Sequence, residues 1–193
     1  ETLIRTTLEL LCQSGIESVT MARVGRLSGI PATSIYRRYP DARSLVLAAI
    51  KDDLDRTQFD LADQGSLRDD LMAFLRMIAR ALHPERARML AGLLLPIHTD
   101  AELAALFTGK LEALREEGWN SIIGRAVGRG TLQGQALEAQ PLDDVAQTMI
   151  FYRIVVRRLP ADEDFLNDLL DTVLMPALTS FFVQGSGLGS AGS

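Results

Sequence analysis

Apolar residues recur along this chain at intervals of three and four, and no segment alternates apolar and polar positions as a strand does. Leu3, Ile4, Thr7, Leu8, Leu10 and Leu11 stripe one face of a helix over Thr2–Ser14, with Arg5 and Glu9 outside it and Gly15 at its end. Beyond Pro40, a long helix starts at the N-cap residue Asp41, marks its turns with Leu45, Ala48, Ala49, Asp52 and Arg56, and ends near Phe59. The segment Asp63-Gln64-Gly65-Ser66 breaks the chain before a helix over 67–82 carrying Leu71, Phe74, Leu75, Ile78 and Leu82. His83-Pro84 closes it, because the residue before proline avoids helical geometry. A short, very apolar helix over 85–95 is closed by Pro96.

Asp100 caps a longer helix through Leu103, Leu106, Phe107, Leu111, Leu114, Trp119, Ile122, Ile123, Ala126 and Val127. Gly109 and Gly118 loosen it, Gly128 and Gly130 end it, and 131–141 is a loop. The next helix, over 141–159, carries Leu142, Val145, Ala146, Met149, Ile150 and Ile154 and ends at Pro160. Asp162-Glu163-Asp164 places negative charge where the dipole of the last helix favours it. That helix carries Phe165, Leu166, Leu169, Leu170, Val173, Leu174, Leu178, Phe181 and Phe182. The whole pattern predicts an all-α fold of about nine helices.

Residues 20–39 depart from this plain amphipathic pattern. Thr20 is placed to cap a helix in which Val24 and Leu27 face inward while Arg23 and Arg26 point elsewhere. Gly29 suits the left-handed position past a helix end, and Pro31 the first position of the next helix. That second helix, from about Ala32 to Tyr39, turns Ile35 inward and leaves Thr33, Ser34, Tyr36, Arg37 and Arg38 for other uses. Helix, glycine turn and helix with a polar, cationic outer face is a helix-turn-helix, which sets its second helix in the DNA major groove. With Ile16 and Val19 plugging its core, it predicts a three-helix DNA-binding domain over 1–50. A larger helical domain over 51–184 and a flexible Gly/Ser tail over 185–193 complete the expected organisation.

Charge sharpens this division. The chain carries −5 overall, yet residues 1–50 hold six Arg against four acids, and the remainder fourteen Lys/Arg against twenty-one Asp/Glu. A basic end on an acidic body suits a protein that presents one face to phosphate. Hydrophobic residues at 47% are enough for a large core. The single Cys12 forbids an internal disulfide and, at a helix end without a nearby His or second Cys, reads as an inert packing residue. With no run of 18 apolar residues and no signal peptide, a soluble, cytoplasmic protein is expected.

Gly15, Thr20, Val24, Gly29, Ile30, Ser34, Ile35, Tyr36, Tyr39, Leu45 and Ala49 stand at spacings that resemble the N-terminal signature of the tetracycline-repressor-like (TetR-type) regulators. Arg125-Ala126-Val127-Gly128-Arg129-Gly130 and Phe151-Tyr152-Arg153 resemble one subgroup of that family's larger domain. The resemblance implies a homodimer that binds palindromic operator DNA, most often as a repressor, and releases it when a small, hydrophobic effector enters. By position it implies base contacts from Ala32, Thr33, Arg37 and Arg38, and phosphate contacts from Thr20, Ser34 and Tyr36. Two positions depart from the family pattern. Ala42 stands where Lys is common, so Arg43, about 100° away around the helix, is expected to take over a phosphate contact. Gly25 stands where Ala is usual, a cost in helix propensity unless a close crossing needs it.

Elsewhere the chemistry is sparse. Lys51-Asp52-Asp53-Leu54-Asp55 reads as a solvated helix face, because Arg56 occupies the place of the last Asp of a diphosphate-binding motif. His83 and His98, fifteen residues apart with no Cys near them, give no metal spacing. No metal or cofactor is expected. His83 reads as a turn residue and His98 as a core histidine or a polar handle in an effector cavity. Met72, Met89, Leu93, Phe107, Trp119, Phe151 and Tyr152 lie on the helices that would surround such a cavity, which is ordinarily apolar with few polar groups. The last two helices are apolar on more than one stripe, which predicts burial on two sides and dimerisation through Met149, Leu170, Val173, Leu174 and Phe181, with Arg153 at the rim. The alternative, a helical-bundle enzyme acting on a hydrophobic substrate, lacks a nucleophile–base pair, metal spacing or a phosphate-binding glycine loop.

Overall fold

The computed structural model describes residues 1–56, 61–134, 136 and 140–178. All regular structure among the described residues is helical. We number the helices α1 (Thr2–Ser14), α2 (Met21–Ser28), α3 (Ala32–Tyr36), α4 (Ala42–Arg56), α5 (Leu67–Ala81), α6 (Pro84–Thr99), α7 (Ala101–Gly128), α8 (140–156) and α9 (163–178). No single helix among them is long and apolar enough to cross a membrane. The chain separates into two compact units, one comprising Glu1–Gln58 and Leu82–Lys110, the other Phe59–Ala81 and Leu111–Ser193.

In the first unit the amphipathic faces of α1, α2, α3 and α4 close on Leu10, Leu11, Val24, Ile35, Leu45 and Ile50, each at most 3% exposed. Thr20 caps α2 as expected, its Oγ1 accepting from the Arg23 N–H at 3.2 Å. Gly29 adopts φ 71°, ψ 10°, the left-handed region that lets the chain reverse without a Cβ clash. Leu27, expected inward, is 55% exposed. The buried side of α2 is Met21, Val24 and Gly25, and at 100° per residue Leu27 lies well off that arc. Gly25 also explains its departure from alanine. A Cβ there would stand 3.0 Å from the Ile30 carbonyl and 3.5 Å from Ile35 Cδ1, so its absence lets α3 and the turn close on α2.

The same core continues onto Met89 and Leu93 of α6 and Leu103 of α7, with Ile97, Leu106 and Phe107 packed against it. Helix α6 does not stop at Pro96 as the sequence suggests but runs to Thr99. A proline near the helix end forfeits one hydrogen bond, and the last turn recovers others: the Asp100 N–H donates to the Pro96 carbonyl at 2.9 Å and Thr99 Oγ1 to that of Leu95 at 3.2 Å. Helix α3 is shorter than expected, because Arg37 and Arg38 form the turn that follows it.

In the second unit α5 is the central helix, packing against α8, α9 and the second half of α7. Leu71, Phe74, Leu75, Ile122, Ile123, Ile150, Leu170 and Leu174 are all fully buried. Arg68 on Asp171 (2.7 Å) and Arg76 on Glu163 (2.6 Å) fasten α5 to α9. Helix α8 ends at Val156 rather than Leu159: the Arg157 N–H closes onto the Tyr152 carbonyl at 2.9 Å and Arg158 then turns to φ 56°. Asp162 caps α9, accepting from the Phe165 N–H at 3.1 Å.

Gly118 does more than loosen α7. It is buried within the π-wound stretch Leu114–Asn120, and a Cβ on it would lie 2.6 Å from Phe74 Cε2, a ring tilted against Trp119 at 6.1 Å between centroids. Gly118→Ala is expected to destabilise the protein by about 1–2 kcal/mol despite alanine's better helix propensity, because the overpacked ring is fully buried. A lower thermal midpoint by circular dichroism checks this; an unchanged or higher one shows that Phe74 moves aside freely.

Candidate nucleic-acid interface

Around α3 the local rules that fold the helix-turn-helix also sort its side chains. Ile35 is 1% exposed and anchors the helix, so its neighbours on the other arc face solvent: Thr33, Ser34, Tyr36 and, in the following turn, Arg37 and Arg38. Ala32 is half-buried and Thr20 exposed. The Arg38 guanidinium lies 5.6 Å from the Tyr39 ring centroid, which steadies it without neutralising it. Among the described residues, Arg23, Arg26, Arg37 and Arg38 have no carboxylate partner. Exposed arginines and hydroxyls on one short motif, the arginines without a carboxylate partner among the described residues, suit base edges and phosphate oxygens.

Arg43 is different. Its Nε and Nη2 donate to both oxygens of Asp100 at 2.7 Å, and Nη2 also reaches Glu102 Oε2 at 3.0 Å. Asp100 is itself held by the N–H groups of Glu102 (3.0 Å) and Leu103 (3.1 Å), since it caps α7. The Arg43 fork first, and these N–H bonds with it, lower the Asp100 pKa from 3.8 to about 2. A lowered carboxylate pKa means that the pair's stabilisation is complete above about pH 4 and is lost only as the pH falls through about 2. The fork therefore stays fully charged at neutral pH. The sequence offered no sign of it, because the partners are 57 and 59 residues apart.

The residues expected to line an effector cavity are divided between the two units. Met89 and Leu93 are buried in the core shared with the helix-turn-helix, and Phe107 packs against it. Met72 and Trp119 are buried in the second unit, where Phe151 is half-buried. His98 and Tyr152 are exposed, His98 because the extension of α6 past Pro96 turns it to solvent. His83, at the N-cap of α6, is exposed too. Cys12 is half-buried, and burial, followed by the carboxylates of Glu85 and Asp53, raises its thiol pKa. Lys51 pairs with Asp55 and Arg56 with Asp52 along α4, as on a solvated face, but Asp53 is half-buried and pairs with Arg86 of α6 at 2.7 Å. No group of three or more His, Cys, Asp or Glu among the described residues is placed to hold a metal ion.

The residues expected at a dimer interface also separate. Leu170 and Leu174 are fully buried in their own core, whereas Met149 is 40% and Val173 36% exposed. Tyr152 and Val156, one and two turns beyond Met149, extend its exposed stripe. Arg153 is held within the chain, over the Phe165 ring at 4.3 Å and donating to the Pro160 carbonyl at 2.6 Å. Phe181 lies outside the described residues, as does the tail.

Comparison with known proteins agrees with this picture. Residues 61–173 match the family model described as "Tetracyclin repressor-like, C-terminal domain". A DNA-binding transcriptional repressor TetR of Mycobacteroides abscessus is 28% identical over 173 residues, spanning 90% of each chain. Among solved structures, the TetR family transcription regulator SCO0332 is 27% identical with a TM-score of 0.60, covering 89% of this chain and 96% of its own. Salmonella enterica GusR shares the fold at a TM-score of 0.68 and 13% identity, covering 93% of both chains. The Mycobacteroides abscessus relative is a repressor and SCO0332 a transcription regulator, which sets the helical-bundle enzyme aside. The chain belongs to the tetracycline-repressor-like family and is a transcriptional regulator.

Proposed function

We propose that this regulator is a homodimer that binds palindromic operator DNA as a repressor and is released by a small, hydrophobic effector. The observation that carries it is the exposed set Thr20, Thr33, Ser34, Tyr36, Arg37 and Arg38 on the helix-turn-helix, whose arginines have no carboxylate partner among the described residues. Thr20 Oγ1 accepts the Arg23 N–H, which leaves its own proton for a phosphate oxygen. Met149, Tyr152, Val156 and Val173 supply an apolar face on α8 and α9 that a second copy would cover, giving a four-helix contact. A dimer of this kind must hold its two α3 helices about 34–36 Å apart to meet successive major grooves. An effector that binds better at another spacing weakens operator binding by its differential affinity for the two forms.

Light scattering should give twice the chain mass of 21.1 kDa, and Met149→Asp with Val173→Asp should leave monomers. Selection from a random duplex pool should return a two-fold symmetric sequence with half-sites one helical turn apart. A persistent monomer, or a pool that converges on no sequence, rejects the reading. Apolar compounds that raise the thermal midpoint should weaken operator binding; tight binders that leave it unchanged reject release by effector.

A further inference from the structure

We propose that Asp100 and Glu102 compete with operator phosphate for the Arg43 guanidinium, so that the α6–α7 junction sets how much positive charge α4 offers to DNA. This rests on the operator-binding reading above. Arg43 occupies the first turn of α4, within a few residues of the Arg37–Arg38 turn, and is the arginine of that region that already has an anionic partner. Its fork to Asp100 has the geometry an arginine uses to grip a phosphate, with two parallel N–H bonds of 2.7 Å. A phosphate and Asp100 therefore present the same chemistry to the Nε–Nη2 edge, and with Glu102 on the second Nη2 proton a phosphate is left only the two Nη1 protons until the carboxylates let go.

The two ends of the fork differ in freedom. Asp100 is fixed by the Glu102 and Leu103 N–H groups, so it holds its place as long as α7 begins where it does. Arg43 is 52% exposed and can swing to a phosphate without uncovering any core. Exposure also keeps the ion pair weak enough to be exchanged, since pairs in water contribute little net free energy and are screened by salt. Displacement of the α7 N-terminus relative to α4 would loosen or tighten the grip of Asp100, and with it the availability of Arg43. No carboxylate needs to titrate, because Asp100 stays ionised far below neutral pH.

A double-mutant cycle tests this with a duplex selected from a random pool by the wild-type protein. Asp100→Asn with Glu102→Gln removes both negative charges, and asparagine remains a good N-cap, so α7 keeps its start. Operator affinity is expected to rise roughly two- to tenfold, and the salt slope to steepen by about one unit per half-site, as Arg43 gains a phosphate. In an Arg43→Gln background the same pair of changes should lose at least half of that gain and leave the salt slope unaltered. A gain that survives in Arg43→Gln, or no gain at all, overturns the proposal: the carboxylates then act by general repulsion or not at all. Matching circular dichroism melts confirm that all four proteins are folded. If the wild type selects no duplex, the operator-binding reading fails and carries this proposal down with it; if it selects one and the cycle is additive, this proposal alone fails.

Discussion

Asp70→Ala is expected to lower stability by about 3 kcal/mol, because it removes a fully buried carboxylate that two arginines share. Asp70 is 1% exposed in the first turn of α5, a position where an acid usually faces water and simply complements the helix dipole. Instead its carboxylate turns inward and gathers three partners. Arg129 Nη1 approaches Oδ2 at 3.1 Å, Arg125 Nη2 lies 3.4 Å from Oδ1, and the Gln64 N–H donates to Oδ1 at 2.8 Å. Arg129 also pairs with Asp63, whose pKa falls chiefly because of that hydrogen bond. One carboxylate thus fastens the segment before α5 to the last turns of α7.

Alanine at 70 leaves Arg125 and Arg129, whose side chains are only 23% and 26% exposed, facing a gap, with Asp63 the one remaining acid paired with them among the described residues. Asn should be milder, since its amide oxygen still accepts the Gln64 N–H and fills the same volume. The order expected in thermal melts is wild type above Asn above Ala, with Ala lower by about 6–12 °C for a chain of this size. Asp63→Ala, which removes the more exposed partner, should cost less than Asp70→Ala. If Asp70→Ala melts within a degree or two of wild type, the network is decorative and α5 is held by its apolar face alone.

Local rules read well from the sequence where the cause is local. The Thr20 cap, the left-handed Gly29, the inward Ile35, and the Asp100 and Asp162 caps all follow from residue types within a turn of one another. Where the outcome depends on what packs across the molecule, periodicity names a face without saying which of two candidates wins. Val24 and Leu27 share a three-residue spacing, but Met21, Val24 and Gly25 share the arc that α1 and α3 cover. Pro96 carries a general penalty for helix interiors that its place near the helix end largely escapes. Gly118 looks like a weak point along its own helix, and only the Phe74 ring beside it explains its presence.

The candidate site divides in the same way. The exposed hydroxyls and arginines of α3 and its following turn were legible because a helix-turn-helix is a short motif whose outer arc is fixed by its inner one. The Arg43 fork and the Asp70 network join arginines to acids 55 to 66 positions away, and no spacing rule reaches that far. The expected effector residues are side chains on the right helices, apolar or aromatic apart from the polar handle His98. That criterion does not separate side chains in the core of one unit from those in the other, and it placed the exposed His98 and Tyr152 among them.

Arg37→Ala is expected to weaken operator binding by about 1–3 kcal/mol per half-site while leaving the thermal midpoint where it was. The two halves of that expectation come from one fact. Arg37 lies in the turn after α3, exposed, with no ion pair among the described residues, so its guanidinium contributes little to folding and is wholly available to DNA. Its backbone is fixed by the Arg37 N–H donating to the Thr33 carbonyl at 3.3 Å, a bond that alanine keeps. Arg38→Ala should weaken binding similarly and also cost a little stability, because the Arg38 guanidinium stacks on Tyr39. Lysine at 37 separates the two ways an arginine can serve. If Arg37 grips a guanine with two bonds, Arg37→Lys loses discrimination at one base position while keeping most of the salt slope. If it grips a phosphate, Arg37→Lys keeps both the sequence preference and nearly all of the affinity. Fluorescence anisotropy with the selected duplex and its single-base variants distinguishes these outcomes. Wild-type affinity in Arg37→Ala would remove Arg37 from the interface and leave Arg38, Tyr36 and the hydroxyls of Thr33 and Ser34 to account for recognition.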